Sequence, residues 1–196
     1  DDRETMKVPG VRQVLRTSRQ VFGRTREGVA VLADSYWAAY KGRQVLKVTW
    51  DQQGLDQHSS ASIMADYLKA SAKDDDVQFA KGNVGRAFSS PEVHTASYEM
   101  PYQSHVPMEP MNAIAHVQEN KAAFWGSTQN PNGIRSFLAE KFDIPPKNIE
   151  INYTFMGGGF GRRSLTDIAE EAADLSQQSG APVKVIWTRE DDQTQG

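Results

Sequence analysis

Four glycines surround one aromatic in Met156-Gly157-Gly158-Gly159-Phe160-Gly161-Arg162-Arg163. Residues without side chains leave their main-chain N–H groups bare, and a loop of this kind lets a bulky ligand lie against the backbone. Arg162 and Arg163 at its end favour an anionic or oxo-bearing ligand. A second candidate is Gln129 in Ser127-Thr128-Gln129-Asn130, because a carboxamide donates a hydrogen bond to an oxo group without changing its charge. The third is His105-Val106-Pro107-Met108-Glu109-Pro110-Met111-Asn112, where a histidine and a carboxylate share a proline-bounded turn. Glu109 there either pairs with a neighbour or serves a site, and the segment alone does not choose.

The flanking residues say what must hold these groups. Residues 149–155 alternate apolar and polar with the two-residue period of a strand. Beyond the loop, Leu165, Ile168, Ala169, Ala172 and Ala173 recur at helical spacing, and Ser164 with Asp167 is placed like an N-cap and its reciprocal partner. Gly180 and Pro182 end that helix and Val183 to Trp187 follows as a strand, so the stretch predicts a βαβ unit with the loop leading into a helix N-terminus. Upstream, Ala122 to Trp125 reads as a strand. Asn130-Pro131 opens a helix as cap and first-turn proline, with Ile134, Phe137 and Leu138 on its apolar face, and Pro145-Pro146 stops it. With the strands at Phe124 and Ile149 parallel in one sheet, Gln129 and Phe160 both follow carboxyl ends, the edge where open α/β sheets bind ligands.

The rest of the chain is less specific. Arg12, Arg16, Arg19, Arg24 and Arg26 could be taken for an anion patch, but their apolar neighbours predict a solvated strand or loop face. Val29 to Ala33 reads as a buried strand, Ser35 as the cap of a helix to about Leu46, and Val48 with Trp50 as the start of another strand. Residues 51–59 are polar and turn-rich, a boundary. Ile63, Tyr67, Leu68 and Ala70 suggest a helix, and 93–100 and 113–117 suggest strands. Asp74-Asp75-Asp76 lacks calcium-loop spacing and reads as a solvated loop.

A 196-residue chain with 38% hydrophobic residues can bury a real core. Its net charge of −3 gives no electrostatic reason for a nucleic-acid partner. No apolar run is long enough to span a bilayer. With no cysteine, the chain has no disulfide, no thiolate metal site and no cluster ligand of its own. The four histidines lack metal-ligand spacing. Gly161 is followed by arginines where a Walker loop needs Lys and then Ser or Thr, and G-x-G-x-x lacks its last glycine. Asp1 follows no leader and residues 193–196 add no closing element, so the chain reads as cut from something longer.

Ser127 to Asn130 and Met156 to Gly161, at this separation and with a helix and strand between, resemble the molybdenum hydroxylases of the xanthine oxidase family. His105 to Asn112, Gly161-Arg162-Arg163 and Trp187 to Asp192 narrow the resemblance to the molybdopterin-binding beta subunit of isoquinoline 1-oxidoreductase and related aldehyde dehydrogenases. Val29 to Asp34, Trp37-Ala38-Ala39 and Val48 to Asp51 resemble the same subunit where its small hammerhead domain closes. The resemblance implies a mixed α/β fold, with residues 1–52 the end of a hammerhead-like domain and 53–196 the first part of the cofactor-binding domain. It implies molybdopterin, as the cytosine dinucleotide, carrying molybdenum, and no metal ligand from this chain. Gln129 would contact the metal's oxo group, Gly157, Gly158, Gly159 and Gly161 would approach the cofactor, Phe160 would wall the reacting centre, and Arg162 would bind the cofactor.

The implied reaction hydroxylates an N-heteroaromatic or aldehyde carbon with oxygen from water. Electrons would pass to a small partner subunit with two 2Fe–2S clusters. Xanthine-oxidising relatives carry a glutamate where Arg163-Ser164 stand, which speaks against a purine. The family's glutamate base lies late in a longer subunit, so the isolated chain should be inactive. Relatives of this branch are often periplasmic, with the cytoplasm the alternative. The rival readings are a non-catalytic binding module and a nucleotide-binding dehydrogenase domain.

Overall fold

The computed structural model describes residues 1–52, 54, 57–73 and 76–195. Asp74 and Asp75 of the acidic run lie outside the described residues. The chain divides into two compact units, Asp1–Val48 with Ser104–Gly196, and Thr49–Gln103.

In the larger unit β1 (Val11–Val21) and β2 (Arg24–Ala33) form an antiparallel hairpin. Its two-residue turn places Phe22 and Gly23 at φ 49° and 73°, the left-handed pair whose twist matches the strands it joins. Helix α1 (Tyr36–Val45) follows, with the Ser35 hydroxyl accepting from the Ala38 N–H as expected. The strand expected at Val48 and Trp50 does not form. Both side chains are exposed and neither joins a ladder.

Four strands make the main sheet: β3 (Asn112–Gln118), β4 (Lys121–Gly126), β5 (Ile149–Tyr153) and β6 (Val183–Ile186), in the order β5-β4-β3-β6. Strands β4 and β5 are parallel, and β3 is antiparallel to both β4 and β6. The smaller unit holds α2 (Ser60–Ser71), closed by a Ser59/Ser62 capping box, and α3 (Val84–Phe88), capped by Asn83. No strand forms over 93–100, where Tyr98 and Met100 are exposed and no ladder partner is supplied.

Helix α4 (Pro131–Phe142) is the crossover from β4 to β5, begun by the Asn130 side chain accepting from the Gly133 N–H at 3.0 Å. Helix α5 (Asp167–Ser179) carries the chain from β5 to β6, and α6 (Arg189–Gln195) comes last. The expected βαβ unit is present as a crossover but not as a neighbouring pair, because β5 and β6 occupy opposite edges. Strand β4 already fills the inner side of β5, and α5 lies over β3, so the chain returns beyond it.

The core explains that placement. Ala113 and Ala115 on β3 and Ala169, Ala172 and Ala173 on α5 are all buried in one cluster with Phe124, Ile134, Leu138 and Ile168. Small residues on both faces let helix and sheet approach closely. Ala172→Leu should therefore cost about 1–3 kcal/mol through overpacking. A urea-unfolding midpoint unchanged by that substitution would show that the contact has room to spare.

Candidate functional site

Strands β4 and β5 run parallel from the pair Ala122/Ile149 to the pair Gly126/Tyr153, so both carboxyl ends reach the same edge. The Thr154 N–H donates to the Gly126 carbonyl at 3.3 Å and extends the pairing one step. Beyond it the chains diverge into Ser127 to Asn130 on one side and the glycine loop on the other.

They meet again at Gln129. Its side-chain Oε1 accepts from the Gly161 N–H at 3.2 Å, and its own N–H donates to the Arg163 carbonyl at 2.9 Å. The Thr128 hydroxyl donates to that same carbonyl at 3.3 Å. With Oε1 occupied, the carboxamide offers its NH2 half to a ligand. Any side chain at Gly159 would crowd this contact, since a Cβ there would sit 2.7 Å from Gln129 Oε1 and 2.9 Å from Met156 Sδ. Gly158 and Gly161 adopt φ of 103° and 95°, conformations that glycine takes without strain.

Glu109 resolves the reading left open by sequence. Its Oε2 accepts the Gly157 N–H at 2.8 Å and its Oε1 the Asn112 side-chain amide at 2.7 Å. Its own N–H donates to the Gly157 carbonyl at 3.1 Å. Arg163 Nη2 lies 3.3 Å from the carboxylate. Burial alone would raise the Glu109 pKa, but the Gly157 amide, Asn112, Arg163 and Ser127 together outweigh it and hold the carboxyl below the usual glutamate value. Glu109 is thus an ionised pillar that clamps the loop from below.

The two arginines do not point where the sequence suggests. Arg162 and Arg163 are each 1% exposed. Arg162 forms a bidentate pair with Asp167 at 2.9 and 2.8 Å, and its N–H donates to the Gly159 carbonyl at 2.8 Å. Arg163 donates from Nε to the Gly158 carbonyl at 2.8 Å and from Nη2 to the Glu109 carbonyl at 2.7 Å; burial lowers its pKa. Both shape the loop rather than reach out of it.

The expected cap is corrected too. Helix α5 is preceded by Thr166, with no side-chain cap bond, and a 3-10 turn over Arg162–Ser164 separates it from the loop. Asp167 serves Arg162, not Ser164, so the helix N-terminus is not offered to a loop-bound ligand.

Phe160 is exposed at φ 53°, held by the loop with its ring outside. Phe155, Tyr153 and Met108 are also exposed and add apolar surface that sequence reasoning did not single out. The phenylalanine and tyrosine stood on a recognised strand, but alternation marked them only as one face of it.

A protein-family comparison matches the molybdopterin cofactor-binding domain over residues 68–196. The chain belongs to that family. It is 31% identical over 205 residues to the isoquinoline 1-oxidoreductase subunit beta of Brevundimonas diminuta, covering 98% of this chain and 25% of that protein. It is 34% identical over 202 residues, with the same coverages, to a membrane-bound aldehyde dehydrogenase of Gluconacetobacter polyoxogenes named for pyrroloquinoline-quinone. Among solved structures, quinoline 2-oxidoreductase from Pseudomonas putida 86 superposes with a TM-score of 0.63 at 22% identity, over 98% of this chain and 29% of that one. The chain spans about a quarter of the length of these curated relatives. The resemblance drawn from the motifs and the mixed α/β fold both hold. No helix among the described residues is long and apolar enough to cross a membrane.

The Glu109 clamp carries a pH signature. A carboxylate whose folded pKa is lowered contributes stability at neutral pH and loses it as pH falls through that folded value. Glu109→Gln should cost about 1–3 kcal/mol at pH 7, the scale for losing one partner of a partly exposed charged cluster. The gap between wild type and variant should close on acidification. A gap in unfolding free energy that stays constant from neutral pH into acid would refute the ionised pillar.

Proposed function

We propose that this chain supplies one wall of the molybdopterin site in an oxidoreductase that hydroxylates an N-heteroaromatic or aldehyde carbon. The observation that carries the reading is the Gly161 N–H to Gln129 Oε1 contact at 3.2 Å, which brings a neutral amide donor and a side-chain-free loop together at one sheet edge. The residues suit the group: a Cβ at Gly159 would fill the space against Gln129, and amide donors fit an anionic oxo-metal complex without adding a proton to lose. The cofactor, as the cytosine dinucleotide form, would supply the two-electron oxidation by which R–H and water become R–OH, with two protons and two electrons released.

What the chain itself does is bind and orient. Gln129 NH2 would hold the oxo group, and the side-chain-free main chain at Gly158, Gly159 and Gly161 would admit the cofactor, with the Gly161 N–H staying on Gln129 Oε1. Phe160 would exclude water beside the reacting carbon. Exposed Phe155 and Met108 favour an apolar substrate. A purine would look for a carboxylate near Arg163-Ser164, and there Arg163 is buried while Ser164 is exposed.

With no cysteine in the chain, the released electrons would leave through 2Fe–2S clusters on a small partner subunit. The reading makes residues 1–52 the close of a hammerhead-like domain and 53–196 the first part of the cofactor domain, supported by a family match that begins at residue 68. A general base would come from outside these residues, so the chain alone should turn over no substrate.

Elemental and pterin analysis of the intact protein that carries this chain tests the proposal. Molybdenum and pterin should be retained together, and Gly159→Val should lower both by about tenfold, equivalent to roughly 1.4 kcal/mol of binding. A metal-free protein would favour a binding module, a bound quinone would transfer the assignment to a different cofactor, and retained nicotinamide would favour a dehydrogenase domain. Each would overturn the reading.

A further inference from the structure

Helix α5 is buried on two sides of different character. Its alanine face meets the sheet, while Asp167, Glu170, Glu171 and Asp174, spaced one turn apart, meet strand β1. Thr17 Oγ1 donates to Asp174 at 3.1 Å, the Gln20 N–H to Glu170 at 2.8 Å and Arg19 Nη1 to Glu171 at 2.9 Å. Arg19, 7% exposed, is the cation at the centre of this contact. It departs from the solvated face expected of the arginine-rich segment.

Arg19 reaches further than the hairpin. Its Nε lies 3.3 Å from Asp167 Oδ2, close enough to pair electrostatically though not aligned for a hydrogen bond. The same oxygen accepts from Arg162 Nη2 at 2.8 Å. Both guanidiniums also stack on Trp187, with Arg19 4.5 Å and Arg162 5.3 Å from the ring centroid, and Trp187 Nε1 donates to Glu171 at 2.8 Å. Two guanidiniums and two carboxyl groups thus gather around one indole, largely out of water. Arg162 in turn holds the Gly159 carbonyl, and Arg163 beside it holds the Gln129 N–H.

The geometry points to Arg19 as a positioning residue for the glycine loop and Gln129, acting through Asp167 and Arg162. Removing its guanidinium leaves Glu171 without its cation and Asp167 with one partner instead of two. The carboxylate that fixes Arg162 then loses its second restraint. A planar fork that pairs and stacks at once is an arginine property, so lysine restores the charge but not the whole arrangement.

This inference rests on the loop and Gln129 forming the proposed cofactor wall, and its test needs no cofactor chemistry. Amide hydrogen exchange is measured in the intact protein for Gln129, Gly161 and Arg162, with Ala115 and Phe124 in the sheet as the fold control. Arg19→Met should speed exchange at the first three by about tenfold, the scale of coupling within one buried network, and leave the sheet unchanged. Arg19→Lys should recover part of the protection. Thr17→Val, which loosens the hairpin at Asp174, should leave the loop amides as they are.

Unchanged loop exchange in Arg19→Met would overturn the inference. So would an equal rise in loop and sheet, or a loop response to Thr17→Val matching that to Arg19→Met, since each reduces Arg19 to a fold contact. Absence of molybdenum from the intact protein is a separate result that bears on the cofactor reading alone.

Discussion

A charge taken out of water must meet a partner, and Arg162 and Arg163 are consecutive charges almost wholly out of water. Their partners set the geometry of everything above them. Arg162 is answered by Asp167 at the head of α5, and Arg163 by Glu109 and two carbonyls. With guanidiniums anchored on both sides of the 3-10 turn, the main chain of the glycine loop has little freedom left. The bare amides are therefore held rather than floppy, which is what a preorganised binding surface requires.

The same economy governs Gln129. A glutamine on a surface turn ordinarily samples several rotamers, but here one end of its carboxamide is fixed by the Gly161 N–H and its main chain by the Arg163 carbonyl. Loop and carboxamide fix each other, so neither is placed by its own strand alone. Parallel pairing of β4 and β5 brings them within reach, and the arginines decide how they face.

Much of this was legible in the chain. Asn130-Pro131 announced α4, alternation announced β5, and the order strand, turn, helix, strand, loop sufficed to put Gln129 and Phe160 on one edge. The partnerships were not legible. The segment 93–100 and the pair Val48 and Trp50 showed what a strand would look like, not whether another strand stood beside it. Asp167 sat three residues from Ser164, where a capping partner belongs, and only packing revealed that Arg162 claims it. Arg19 read as one of five surface cations because the acidic stripe that buries it lies on α5, far away in sequence. The reversal of Arg162 and Arg163 from ligand contacts to supports has the same origin: sequence gives their charge but not their direction.

Arg19 and Glu171 are 152 residues apart, and that distance has a meaning in time. At ribosomal speeds of about 5–20 residues per second, the hairpin leaves the tunnel roughly 8–30 s before the helix that neutralises it. During that interval the strand carrying Arg19 has no acidic stripe to settle on, and the hairpin must wait as an open, hydrated ribbon. Completion of the hairpin's packing thus belongs to helix α5, made well after it, which makes this architecture dependent on a nascent chain that stays unaggregated through that interval.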